Sequence, residues 1–445
     1  MLELNKEQKQ AVGLLSLGTF LEYFDLMLYV HMAVLLNELF FPKTDPHTAA
    51  LVSSFAFCTT FVFRPVGAIL FGWIGDNIGR KATVIITTFM MAVSCMVMAN
   101  LPTYSQIGIA AAWLVTICRM VQGMSSMGEI VGAEIYLTEM TKPPVQYLVV
   151  TLIAVFSIIG GTTALAVASL VTSLGLNWRL AFWIGAIVAV IGVAARTALR
   201  ETTDFADAKR RVQKAFYESK ISTQLLKDNP IYNEKVNKKT VLSIFLMQCG
   251  WPVCFYFTYV HCGNILKNSF GYSAEQVINQ NFIVSMVNLF GYIVLTFLSY
   301  RIHPLKILKV KVAIFFVFSL ICPYLLYNIK TPFSLLLVQS FVMLFVLSTN
   351  PAMSILYTYL PIFKRFTYGS LIFALSRALM HVITSFGLVY LIEYFNYWGL
   401  LIIMVPMCLG YMVGISHFVK LEIAAGRYYQ GVKAETRKSL IHPSA

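Results

Sequence analysis

Twelve apolar stretches, each roughly 20 residues long, divide this 445-residue chain, and no other feature narrows its possible folds as far. A helical stretch of that length crosses a hydrocarbon core about 30 Å thick, and only a helix satisfies every backbone N–H and C=O within one unbroken apolar segment. The spans fall near residues 12–39, 50–74, 82–101, 107–135, 148–172, 180–200, 241–263, 280–300, 310–328, 333–357, 369–392 and 397–419. The expected fold class is an all-α integral membrane protein with twelve transmembrane helices. Composition agrees, with 58% hydrophobic and 12% charged residues against about 25% charged in soluble domains.

The net charge of +14 would suit a polyanion, yet its distribution has a simpler cause. With the N-terminus placed inside, 27 of the 34 Lys and Arg fall in cytoplasmic segments, four in external loops, and three, Arg64, Arg119 and Arg377, within spans. This is the asymmetry of the positive-inside rule. It predicts a multi-pass plasma-membrane protein (inner membrane if bacterial), both termini cytoplasmic, surrounded by membrane lipid and without a nucleic-acid partner. The first span is full length, carries acids and lacks a small-residue cleavage site, so it is expected to remain as a helix. The eight cysteines lie within spans, with no C-x-x-C pair and no His cluster, which predicts neither a disulfide nor a metal.

Six spans precede residue 200 and six follow residue 241. The expected units are an N-terminal six-helix half (1–200), a basic cytoplasmic linker (201–240), a C-terminal six-helix half (241–420) and a cytoplasmic tail (421–445). Between the second and third spans lies Phe71-Gly72-Trp73-Ile74-Gly75-Asp76-Asn77-Ile78-Gly79-Arg80-Lys81, where glycines permit a sharp turn and the two bases hold the loop inside. If the halves are repeats, its copy between spans 8 and 9 is Ser299-Tyr300-Arg301-Ile302-His303-Pro304, with Tyr300 in the place of the acid and His303 in the place of a glycine.

The charges inside the spans point to function. Glu22, Asp25 and Tyr29 share one face of the first helix at i, i+3, i+7. Asp25, Arg64 and Arg119 each lie roughly a dozen residues into their helices, about 20 Å along at 1.5 Å per residue, which is mid-membrane. Each isolated charge there costs at least about 2.5–3.5 kcal/mol, so these groups must face inward and pair, as a static network or along a watery path. Asp25 and Glu22 are the candidate proton carriers; Tyr29, Arg64, Arg119, Gln122, Trp251 and Tyr256 are the candidate solute contacts. Gly250-Trp251-Pro252 breaks span 7 near mid-depth, and aromatic rings following it can hold an ammonium group. His261 and His381 are further groups able to titrate.

The loop spacing G-x-x-x-D-x-x-G-R-K resembles the signature of the major facilitator superfamily, with Asn77 where a base is usual. E-Y-F-D in span 1, R-P-V-G in span 2, R-M-V-Q-G-x-x-x-x-G-E-x-x-G-A in span 4, Asn177-Trp178-Arg179 and R-E-T-T-x-F resemble its metabolite:proton symporter family over residues 16–205. That family includes proline/betaine, 2-oxoglutarate, citrate and shikimate carriers. The resemblance implies a secondary transporter with the major facilitator fold, taking up a small polar organic solute by proton symport, functioning as a monomer without a cofactor. It implies that Asp76 meets the start of helix 11 near Gly369, and that Gly72, Gly79, Arg80, Lys81, Glu134 and Glu139 belong to the same gate. An exporter of the same superfamily is the first alternative. A membrane enzyme or sensor is the second, although no H-E-x-x-H or G-x-x-x-x-G-K-[ST] motif is visible.

Overall fold

Helix boundaries lie where the sequence supplies caps and breakers. The computed structural model describes residues 4–42, 59–196 and 234–428. Among these the twelve rods are α1 (Lys6–Phe40), α2 (Arg64–Asn77), α3 (Arg80–Asn100), α4 (Ile109–Met140), α5 (Val145–Ser173), α6 (Arg179–Arg196), α7 (Lys238–Phe270), α8 (Ala274–Ser299), α9 (Pro304–Tyr327), α10 (Pro332–Leu344), α11 (Arg365–Val382) and α12 (Leu400–Ala424). The outer part of span 2, nearly all of the linker and most of the tail lie outside the described residues. Asn5 opens α1, its side chain accepting the Gln8 N–H at 2.7 Å while the Gln8 side chain accepts the Asn5 N–H at 3.1 Å. Ser273 and Gln276 form the same reciprocal box before α8, and prolines begin α9 and α10, where no helical N–H is needed.

Seven of the described helices are long and apolar enough to cross a membrane. The others are shortened or charged: α2 shows 14 residues, α10 shows 13, and α4 carries Arg119, Glu134 and Glu139. Span 10 is not one helix. It runs as α10, then irregular backbone, then a short helix Met353–Thr358, because Pro351 has no N–H for an intrahelical bond. Lys311, counted from sequence with the cytoplasmic loop, is instead buried in α9.

Within the first half α1 packs on α5 and α6, and α3 on α4 and α6; within the second α12 packs on α7 and α9, and α8 on α10. The halves meet along two seams, α2 with α11 and α5 with α8. Gln8 of α1, Asp76, Glu139, His303, Arg365 and Glu422 all make contacts at the end of the bundle where the described chain begins and finishes, hereafter the terminal end.

Lipid supplies no hydrophobic drive between helices, so close approach at small residues carries much of the packing. A Cβ on Gly160 of α5 would strike the Phe20 carbonyl of α1, one on Gly123 of α4 the Thr60 carbonyl, and one on Gly67 of α2 the Met124 carbonyl. Gly160→Leu must therefore separate α1 from α5. Overpacking of this kind costs about 1–3 kcal/mol, and the thermal midpoint in detergent is expected to fall by several degrees. Gly13→Ala, where a Cβ meets nothing within 4 Å, should not lower it; equal midpoints for the two variants would contradict the packing described.

Candidate functional site

Between the halves lies a cavity of about 100 Å³, on a measure where one water needs about 10–15 Å³. It has room for several waters or a small organic solute. Its wall comes from α1, α4 and α5 on one side and α7, α8, α11 and the break after α10 on the other. The break explains part of its polarity: Ser348, Thr349 and Asn350, released from helical bonding, present polar groups to the space. Irregular backbone at membrane depth is tolerated where it lines such a cavity. Ser348-Thr349-Asn350-Pro351 is the sequence signal that marks this wall.

Among the described residues the wall contains one cationic and one acidic side chain, Arg377 and Glu134. Arg377 Nη1 donates to Gln248 Oε1 at 3.0 Å, and its guanidinium lies 3.2 Å from the Phe373 ring centroid and 5.6 Å from that of Trp251. Glu134 accepts the Tyr357 hydroxyl at 3.0 Å across the two halves. Trp251, Phe255 and Tyr259 form an aromatic wall, with adjacent ring centroids 4.9 and 5.0 Å apart. Trp251, Phe255 and Tyr259 recur at four-residue spacing on α7 and so share the face that lines the cavity, whereas Tyr256, where a π-helical stretch (Tyr256–His261) begins, lies off it.

Of the sequence-derived solute contacts Trp251 is on this wall, and the others sit elsewhere. Arg119 is buried inside the first half, where Nη1 donates to Gln122 Oε1 at 3.0 Å and approaches the Leu26 carbonyl at 3.5 Å. Its guanidinium lies 4.1 Å from the Tyr29 ring centroid. Arg64 stacks 4.7 Å from Phe61 and interacts electrostatically with Tyr23 and Glu22. Asp25 points toward Gly185 of α6 and Cys95 of α3. Glu22, Asp25, Tyr29, Arg64, Arg119 and Gln122 are all buried, and none is on the cavity wall; Tyr23, between the two acids, is. Depth placed these charges at mid-membrane, but Asp25 and Arg119 face into the six-helix half, while Arg64, on the α2 helix that packs on α11, lies close enough to Arg377 and His381 of the other half to act on them electrostatically. Arg377 and Gln248 are the polar cavity residues that sequence reasoning did not assign.

The terminal end is closed by contacts between halves. Asp76 Oδ1 accepts the Phe366 N–H at 3.0 Å and Oδ2 the Thr367 N–H at 2.8 Å, both in the first turn of α11. A carboxylate there satisfies orphan donors and meets the positive end of the helix dipole. Gly72 and Gly75 let α2 come this close, since a Cβ on them would lie 2.7 Å from Thr367 Cα and 2.6 Å from the Phe366 ring. Gly79 starts α3 at φ 150°, a backbone that favours glycine. Glu139 pairs with Arg365 Nη1 at 3.0 Å, its side chain fully buried. Glu134 and Glu139 bond to Tyr357 and Arg365 of the other half. The Arg80 side chain lies outside what is described, and Lys81 is half-buried.

Comparisons with known proteins agree with this architecture. The chain is 28% identical over 278 residues to the proline/betaine transporter of Salmonella typhimurium, covering 60% of this chain and 54% of that one. It is 31% identical over 205 residues to the citrate-proton symporter of Salmonella typhi, covering 44% and 46%. The chain thus spans about half the length of the curated relatives it matches. The proton:xylose symporter XylE bound to 6-bromo-6-deoxy-D-glucose superposes with a TM-score of 0.75 at 14% identity, over 92% of this chain and 94% of that one. The Major Facilitator Superfamily profile matches residues 15–360, and the chain belongs to that superfamily.

Proposed function

We propose that this protein is a secondary transporter that takes up a small zwitterionic solute, of the proline or glycine betaine kind, by proton symport through the cavity between its halves. The observation that carries the reading is the wall itself. One guanidinium, one carboxylate and three adjoining rings offer a carboxylate its bidentate partner and a cationic nitrogen its aromatic and anionic partners. A tricarboxylate such as citrate would bring several charges to a single base and leave the others buried without compensation. The names of the relatives support solute transport, and both a zwitterion carrier and a citrate carrier are among them.

Glu22 and Asp25 are the proposed proton carriers. They are buried beside the cavity-lining Tyr23 on α1, and intramembrane carboxylates are the usual proton relays. The loops that carry most of the bases are proposed to be cytoplasmic, so the closed terminal end is the inner gate and the form described here is shut toward the cytoplasm. The gate works by difference: contacts made only in this form stabilise it, and contacts kept in both forms shift nothing.

Uptake into proteoliposomes tests the reading. Labelled proline or glycine betaine should accumulate with an inward proton gradient and not without one, whereas citrate and 2-oxoglutarate should not accumulate. In the same vesicles Asp25→Asn with Glu22→Gln should abolish accumulation and spare exchange. Accumulation of citrate alone would reject the solute class, and full accumulation by the double variant would reject the proton carriers.

The gate gives a second expectation. In Asp76→Asn one side-chain oxygen is replaced by NH₂, which cannot accept the second N–H of α11, so a buried donor loses its partner. Charge-assisted bonds of this kind contribute about 1.5–3 kcal/mol, enough to shift the population roughly tenfold or more toward the form open at the terminal end. Thiol labelling of single cysteines, in a background lacking the native ones, should rise at the terminal end and fall at the opposite end. Unchanged labelling at both would show that Asp76 does not hold the gate.

A further inference from the structure

The eroded loop between α8 and α9 has acquired a different set of contacts. His303, standing where the repeat of the opening loop would have glycine, is buried, and its Nε2 lies 3.3 Å from Glu422 Oε2 at the end of α12. The other oxygen, Oε1, accepts the Tyr359 hydroxyl at 2.7 Å and Arg427 Nη2 at 2.7 Å, and Arg427 Nη2 also donates to the Tyr359 hydroxyl at 2.8 Å. The two oxygens thus serve different partners, and the imidazole has one to itself. Ring contacts complete the surroundings: Tyr428 with its centroid 5.3 Å from that of His303, and Tyr147 of α5, in the other half, at 6.2 Å. The cations nearby are Arg427, engaged on Oε1, and Lys306 of α9, which lies 5.3 Å from the Tyr428 centroid.

Tyr359 ties this cluster to the inner gate. It begins the six-residue connection to Arg365, Phe366 and Thr367, which reach across to Glu139 and Asp76. Whatever fixes Tyr359 and Glu422 fixes the loop that presents those donors. We infer that His303 and Glu422 form a pH-sensitive brace in the second half, which holds the α10–α11 loop in its gate-closing position and tightens when His303 is protonated.

Histidine is the side chain whose ordinary titration falls between pH 5 and 8. Burial works to raise the Glu422 carboxyl, but hydrogen bonds from His303, Tyr359 and Arg427 hold it below the usual carboxylate range. Its contribution is therefore present above that range and would be lost only as the pH falls through it, so between about pH 6 and 8 the carboxylate stays ionised. In the neutral ring with Nε2–H toward Glu422, a second proton on Nδ1 converts a neutral donor into a charge-assisted one. The brace is tighter at low pH and looser at high pH.

Hydrogen–deuterium exchange of the purified full-length chain, corrected for the intrinsic pH dependence of exchange, tests this without any transported solute, so its result does not depend on the transport reading. Peptides covering residues 359–368 should gain protection on the order of tenfold between pH 8 and pH 6, the difference between a neutral and a charge-assisted hydrogen bond. His303→Gln should hold these peptides at the unprotonated level at both pH values, and Glu422→Gln should also remove the pH dependence. His417→Gln, altering a histidine that bonds Thr240 elsewhere on α12, should keep it. Equal pH dependence in wild type and His303→Gln, or none in wild type, would overturn the brace. If His303→Gln fails to fold, Glu422→Gln alone decides, and pH dependence persisting there overturns it equally.

Discussion

Hydrocarbon offers no hydrogen bonds, so every charge and every interrupted helix in the span has to be answered by another part of the same chain. That constraint organises this structure. Arg119 is answered by Gln122, the Leu26 carbonyl and the Tyr29 ring within one half. Arg377 is answered by Gln248, Phe373 and Trp251 at the cavity. The N-terminal amides of α11, which no helix can satisfy internally, are answered by Asp76 from the opposite half. The last of these differs in kind, because a contact between halves is lost whenever they separate.

Much of this was legible in the residues. The spans and the two six-helix halves follow from apolar length and from the basic linker, and the meeting of Asp76 with the start of helix 11 was implied by the resemblance of one loop to the superfamily's signature. Depth along a helix was also legible, since counting at 1.5 Å per residue put Arg119 and Asp25 at mid-membrane. The direction in which they face was not. A helix packed on several sides has more than one polar-compatible face, and spacing alone cannot say whether Arg119 looks into its own half or between the halves. Tyr256 met the same limit: it is buried on α7 but off the cavity wall, which Trp251, Phe255 and Tyr259 form at four-residue spacing. Lys311 shows the limit of charge counting: a base near a predicted boundary was assigned to the loop and is buried in α9.

The two halves solve the same problem with different chemistry. The first closes with Asp76 on helix amides and with Glu139 on Arg365. The second, lacking the acid and the glycine of the repeated loop, uses Glu422 held by Tyr359, Arg427 and His303. These bonds add to apolar packing between the halves, where Gly72 and Gly75 bring α2 onto α11 and the Phe366 ring lies against Gly75 and Gly132.

The central claim is that solute is recognised at Arg377 in the cavity and that Arg119 is a structural cation of the first half. Equilibrium binding of glycine betaine to the purified protein, compared between Arg377→Lys and Arg119→Lys, separates these roles most directly. Lysine keeps the charge but loses the planar fork and the stacking. Arg377→Lys should weaken binding at least about tenfold, as expected for loss of a buried bidentate contact, while Arg119→Lys should lower the thermal midpoint and leave affinity within a factor of about two. Loss of affinity in Arg119→Lys with unchanged binding in Arg377→Lys would contradict that claim.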